Sequence, residues 1–263
     1  MIRFKILGPL ELEAPGGEVL RRGPKVARLL GLLLVRANQT VGVDTLMDEL
    51  WDGDPPTTAL KTVRTHVYHL RGALERTCGA DTARRVLLTQ GSGYRMDLVP
   101  EELDLFAFQQ LVGQAQVLWA EHRHDEVVDR AEQALALWRG PLLSDLRPGR
   151  VLAGHVARLT ETYTRARELR VDASLRLGLH REVLPELRDL VSVYPLHEGF
   201  HAQLIDALSR SGRRGEALSA FRAARDTLHD QLGLEPSEEL RRLQHAILTG
   251  AGGASAASPG SGN

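Results

Sequence analysis

Cysteine is all but missing from this chain of 263 residues: Cys78 stands alone. Neither an internal disulfide framework nor a zinc site built from several thiolates can therefore form, and such thiol usage leads us to expect a cytoplasmic protein. Long apolar runs are missing too. The longest, Leu29 to Val35, falls far short of the roughly 20 residues that a bilayer-spanning helix needs. No charged-then-apolar leader follows Met1, so the expectation is a chain neither exported nor inserted in a membrane. Lysine is scarce, with only Lys5, Lys25 and Lys61 among 33 basic residues. That preference for arginine fits a GC-rich genome and speaks of the host rather than of function.

What is present is enough for two ordinary domains, since 43% of residues are hydrophobic and 25% charged, a balance that lets each domain bury a core of its own. The formal charge of −1 conceals an asymmetry: residues 1–98 hold 14 Lys/Arg against 11 Asp/Glu, and the remainder 19 against 23. Phosphate binding needs local positive charge, so any nucleic acid belongs with the N-terminal part.

In the opening stretch Ile2, Phe4 and Ile6 alternate with Arg3 and Lys5, and Pro15-Gly16-Gly17 offers a turn before Glu18-Val19-Leu20. This reads as a short antiparallel sheet. Pro24 suits a first helical turn, and 26–38 is apolar enough to be largely buried. A second helix is expected from about Val43, with Asp44 near its cap, to Trp51, where DGDPP (52–56) breaks it. In a third helix Leu60, Val63, Val67, Leu70 and Leu74 form one stripe while Lys61, Thr62, Thr65, Tyr68 and His69 take the opposite face. Residues 85–98 then read as two strands around Gly91-Ser92-Gly93. Sheet, three helices and hairpin predict a winged helix.

From Asp104 to about Leu248 the pattern is helical, with no convincing strand. Residues 178–195 and 212–229 repeat at a spacing of 34, with Gly178/Gly212, Glu182/Glu216, Leu184/Leu218 and Arg188/Arg222 in register. That is the tetratricopeptide length. A looser third copy, 122–138, aligns on Glu126. The expected fold class is thus mostly α with a small β component: a winged helix over 1–98, a linker at 99–103, a helical-repeat domain over 104–249, and a disordered tail from 250.

Some patterns point elsewhere. HEGFH (197–201) matches the H-E-x-x-H of zinc proteases but follows Pro195 at the start of a repeat helix, with no third ligand evident. His66 and His69 could share a metal, although packing or an outward-facing role suits them better. The GSG turn leads into a strand, so it lacks the helix N-terminus that cradles a dinucleotide phosphate. Trp51, Trp119 and Trp138 sit on apolar faces as core residues. No nucleophile setting is recognisable, and no enzyme, metal or cofactor is expected.

GPLE (8–11), PKVARLLGLLLVRAN (24–38), LMDELWDGDPP (46–56), TVRTHVYHLRGAL (62–74) and TQGSGYRM (89–96) together resemble the Streptomyces antibiotic regulatory protein family. The resemblance, which extends over residues 1–249, implies an OmpR-type winged helix joined to a helical bacterial transcriptional activation domain. It further implies double-stranded DNA with direct repeats upstream of biosynthetic promoters, two protomers side by side, and contact with RNA polymerase holoenzyme. Larger relatives append an ATPase module, but no G-x-x-x-x-G-K-[S/T] occurs here. No receiver domain is expected either.

A helix of this size fits the major groove, and the face opposite the leucines should meet base edges. Thr65, Tyr68 and His69 are the base-reading candidates, joined by Arg64, which the family register places at the bases. Lys61, Thr62 and Arg71 suit phosphates, and Gly72 allows close backbone approach. The wing resemblance assigns Arg95 to the minor groove or flanking phosphates, with Gln90 and Ser92 near the backbone. The alternative at this stage is a helical scaffold for a ligand or protein with no specific DNA target; a zinc hydrolase has HEGFH alone in its favour.

Overall fold

The computed structural model describes residues 2–14 and 23–250. The turn and strand expected over 15–20, and the tail from 251, lie outside the described residues. The packing forms two compact units: one takes the chain up to Gln116 with Arg130–Ala166, the other Val117–Asp129 with the chain from Arg167 on.

In the first unit, Arg3–Lys5 (β1) pairs antiparallel with Glu11–Glu13 (β2), Phe4 opposite Leu12. Pro9 has no N–H for a ladder, and Gly8 adopts a φ of 152°, so the chain already reverses there. Helix α1 (Pro24–Val35) starts on its proline and buries Leu29 to Val35 completely or nearly so. Gly31 is needed inside it: a Cβ there would stand 2.9 Å from Leu146 Cδ1 and 3.3 Å from Leu143 Cδ1.

Val41–Gly42 (β3) precedes α2 (Val43–Trp51), then come α3 (Ala59–Cys78), α4 (Ala80–Val86), and the hairpin Leu87–Gln90 (β4) and Gly93–Met96 (β5). The sheet order is β3-β5-β4, antiparallel throughout. Two elements were not foreseen. β3 is too short to show a period of two, and α4 carries only Ala83 and Val86 on its buried side. The leucine stripe also needs one correction: Leu60 is 42% exposed and Ala59, at 2%, takes its place beneath Val63. Both lie within a turn of Val63, and helix packing accommodates the smaller side chain.

The segment 99–103 is ordered. Pro100–Glu102 forms one 3₁₀ turn, Leu103 bridges to Phe4, and buried Glu102 binds Arg85 and accepts Val99 N–H at 3.1 Å. Helices α5 (Asp104–Ala120), α6 (His124–Ala136) and α7 (Arg150–Arg176) follow. Their share of the first unit joins one hydrophobic core with α1 to α3, running from Ile2 and Phe4 through Leu74 to Phe108, Leu152 and Leu159.

Two carboxylates pin this junction. Asp104 accepts the backbone N–H groups of Ile6 (2.9 Å) and Leu7 (3.0 Å). Glu49, at the end of α2 and 0% exposed, accepts Gly149 N–H and Leu152 N–H, each at 2.7 Å. These are first-turn donors of α7, which have no partner within the helix.

The second unit repeats one corner three times. Gly178 (φ 83°), Gly212 (φ 80°) and His122 (φ 59°) occupy the same left-handed position. In each copy the next residue donates its N–H five residues back: Leu179 to Ser174 (3.0 Å), Arg213 to Leu208 (2.9 Å) and Arg123 to Leu118 (3.0 Å). This bond closes a Schellman cap, for which glycine is the favoured residue and a side chain costs strain. Helices α8 (Leu184–Val193), α9 (Glu198–Arg210), α10 (Arg214–Leu232) and α11 (Glu238–Thr249) pack around Leu187, Phe200, Ile205, Phe221 and Leu240. The fold is a winged helix followed by an all-helical, tetratricopeptide-like array.

Glu49→Ala removes the acceptor of two buried amides and should cost about 3 kcal/mol in urea unfolding. Burial pushes the Glu49 carboxyl above its usual range, against the pull of its two backbone hydrogen bonds. A raised folded value means its contribution is fully present below the unfolded pKa and declines as pH rises through the folded one. The stability gap between wild type and Glu49→Ala should therefore be wider at pH 5 than at pH 8; a gap that grows with pH contradicts this arrangement.

Candidate nucleic-acid interface

Helix α3 buries Val63, Val67, Leu70 and Leu74 against the first unit's core and turns Lys61, Arg64, Thr65, Tyr68 and His69 to solvent. Tyr68 is 73% exposed, with its ring edge-on to His69 at 5.8 Å. From Ala59 to Leu74 the helix has no acidic residue. Such a face attracts polyanions without internal repulsion.

Both threonine hydroxyls in the stretch 61–69 have committed their protons. Thr65 Oγ1 donates to the Lys61 carbonyl at 3.0 Å, and Thr62 Oγ1, half-buried, to that of Thr58 at 3.1 Å. What remains outward on Thr65 is an oxygen lone pair and a methyl group. These suit the amino group of adenine or cytosine, or the methyl of thymine.

His66 sits half-buried at the side of the face. Its Nε2 has no hydrogen-bond partner, and burial, reinforced by the charges of Lys25 and His69, pushes its pKa down. Lys25 lies over the Trp51 ring, 4.9 Å from its centroid.

Arg71 is placed differently from a simple phosphate clamp. Its Nη2 donates to Thr89 Oγ1 at 2.6 Å, and its guanidinium carbon stands 5.9 Å from the Tyr94 ring centroid. The side chain therefore fastens α3 to the β4–β5 hairpin. At the tip, Gly91 takes φ 56° as the first turn residue. Gln90 and Ser92 are exposed; Thr40 Oγ1 donates to Gln90 Oε1 at 2.8 Å, and the Ser92 carbonyl accepts Val43 N–H at 3.1 Å. Gly93 lies in β5, where a Cβ would strike the Val41 carbonyl. Arg95 is half-buried in the strand and donates to Asp97 Oδ1 at 2.5 Å, while its Nε has no partner.

The structure thus brings Lys61, Arg64, Thr65, Tyr68 and His69 onto one surface and connects Arg71, Gln90 and Ser92 to it through the hairpin. It holds Arg95 in an internal ion pair. Thr89 and Thr40 were missed by sequence reasoning. Strand alternation turns Thr89 away from the core, but only the folded chain sets it against Arg71.

The HEGFH residues are each occupied structurally. His197 caps α9, accepting Phe200 N–H at 3.4 Å; Glu198 accepts Ser237 N–H at 2.7 Å; His201 is buried with Nε2 2.9 Å from the Pro195 carbonyl. Trp138 packs between Phe108 and Tyr163, and Trp119 against His124.

A three-helix core, a helix exposed and without acid from Ala59 to Leu74, and a hairpin wing define a winged-helix DNA-binding transcription regulator. Residues 17–96 match the family described as transcriptional regulatory protein, C terminal, and residues 103–248 the bacterial transcriptional activator domain. The chain belongs to the Streptomyces antibiotic regulatory protein family. Regulatory protein DnrI of Streptomyces peucetius is 39% identical over 250 residues, covering 94% of this chain and 92% of that protein. Transcriptional regulator RedD of Streptomyces coelicolor is 33% identical over 249 residues, covering 94% and 70%. Regulatory protein AfsR of Streptomyces griseus is 35% identical over 248 residues, of which this chain spans only 24% of the length. The solved structure of Mycobacterium tuberculosis EmbR in complex with a low affinity phosphopeptide matches with a TM-score of 0.87 at 32% identity, over 95% of this chain and 65% of that one.

Arg71→Ala should free the hairpin. Hydrogen exchange of the amides of 87–96 should quicken severalfold, with a stability loss of about 1 kcal/mol shared non-additively with Thr89→Val. Additive losses in the double variant would show that the two side chains act separately.

Proposed function

We propose that this protein activates transcription of a secondary-metabolite, antibiotic-type gene cluster by binding direct repeats upstream of its promoters. The exposed face of α3 from Lys61 to His69, which holds no acid, carries this reading. Arg64, Thr65, Tyr68 and His69 read base edges in the major groove, and Lys61 and Thr62 contact phosphate. Arg71 acts chiefly by holding the wing, from which Gln90 and Ser92 approach the backbone. Arg95 reaches the minor groove or a flanking phosphate by exchanging Asp97 for the nucleic acid.

The DNA-binding part is residues 1–98, joined through 99–103 to an activation domain over 104–249. Two protomers bind side by side on the repeats, and the helical domain recruits RNA polymerase holoenzyme. The site of action is the cytoplasmic nucleoid. Similarity to DnrI and RedD supports the regulatory role, and the net charge of about +3 in residues 1–98 supports the placement of DNA there.

Footprinting on the intergenic regions beside the chain's own gene tests the proposal, with protection of two repeats in phase with the helical turn as the expected result. In fluorescence anisotropy, Thr65→Ala and His69→Ala should narrow the gap between specific and random DNA. Lys61→Ala should weaken both alike and make the salt dependence shallower by about one unit. If all three bind as wild type does, α3 is not the reading element.

A further inference from the structure

The second unit contains a polar cleft of about 300 Å³ between α7, α9 and α11. Among the described residues it is lined by the carboxylates Glu168 and Asp172 of α7, Asp206 of α9 and Glu239 of α11, together with the guanidiniums of Arg176 and Arg210. Asp206 is matched by Arg210, whose Nε lies 2.9 Å from Oδ1. With Glu168 set aside, Asp172 and Glu239 stand against Arg176, so the lining is acidic on balance.

A buried amide adds a second and independent observation. Gln203 lines the cleft and is only 6% exposed. Its Nε2 donates to Asp172 Oδ1 at 2.8 Å and to the Glu168 carbonyl at 2.9 Å. Both amide protons are thus engaged, which fixes the orientation of the amide. Its Oε1 is left buried with no hydrogen-bond partner. Buried acceptors in native proteins are nearly always satisfied, so an unsatisfied one beside a cleft marks a place where a donor is to be supplied.

The missing partner has to bring positive charge and several N–H donors together. Inorganic anions are repelled by the lining. Among the described residues no group of His, Cys, Asp and Glu has the arrangement to hold a metal ion. A guanidinium meets the need: it is planar, permanently charged and carries five donors, enough to serve carboxylates and an amide oxygen at once. Burial, with Glu239 and Asp206 nearby, raises the pKa of Asp172, and a bound cation would relieve that.

We infer that the cleft between α7, α9 and α11 is a binding site for a guanidinium group, brought by an arginine of a partner polypeptide or by a free small cation. The inference does not depend on how α3 meets DNA.

The test is calorimetric titration of the full chain at low ionic strength with agmatine and, separately, with a blocked Gly-Arg-Gly peptide. Saturable one-to-one binding is expected, weakened at least tenfold by Asp172→Asn and by Glu239→Gln. Glu239 is exposed on α11, so its replacement leaves the core untouched and the variant folded. Peptide binding at least tenfold tighter than agmatine identifies a polypeptide partner; agmatine binding as tight as or tighter than the peptide identifies a small cation. No saturable binding of either probe, or binding unchanged in both variants, overturns the inference.

Discussion

The first turn of α7 presents backbone N–H groups to the interior, and Glu49, reaching from the last turn of α2, takes Gly149 and Leu152 at 2.7 Å. A carboxylate is buried with no exposed surface only when its lone pairs are met, and an N-terminal turn meets them with fixed donors and a favourable dipole. The contact is so close that Gly149 admits no Cβ, which would collide with Glu49. Outside the pair, Arg28 Nη1 donates to the Glu49 carbonyl at 3.2 Å, and Asp52 Oδ1 accepts Arg150 N–H at 3.0 Å. Asp104 repeats the device against Ile6 and Leu7. The helix that faces solvent with Lys61, Thr65 and Tyr68 packs on α1 and α2, so its position is tied through α2 to the start of α7. Whatever binds α3 does so on a platform already braced by the helical region's own beginning.

At the surface the same economy of hydrogen bonds decides what is left for a partner. Thr65 and Thr62 give their protons to the helix, Arg71 gives a donor to Thr89, and Gln90 receives one from Thr40. The groups still uncommitted are those that stand furthest from the core, which is why the exposed face of α3 has a distinct chemical character. In the second unit the reverse holds: Gln203 spends both donors inside and leaves its acceptor bare.

Much of this was legible in the residues. Helices with several apolar turns declared themselves by periodicity, and the 34-residue spacing placed Gly178 and Gly212 in register before their left-handed φ values were known. His122 confirms the third copy, where no glycine signalled it. Short elements were not legible: β3 spans two residues and α4 seven, too few for a period to stand above chance. The reversal at Gly8-Pro9 was passed over in favour of the turn signal at 15–17, which lies outside the described residues. Leu60 was misread because two residues within one turn of Val63 competed for one place, and helix packing chose Ala59. Of the candidate site, the exposed face of α3 followed from its wheel, whereas the engagement of Arg71 and Arg95 within the protein did not.

The sequence by itself determined the order of elements, the apolar faces that drive them together and the chemical character of the face left over, because these depend on neighbours a few residues apart. Only the tertiary structure decided which polar groups satisfy one another: Glu49 with α7, Asp104 with Ile6 and Leu7, Arg71 with Thr89, Gln203 with Asp172. Those pairs join residues 18 to about 100 positions apart. Their geometry is set by packing in three dimensions, on which local periodicity carries no information.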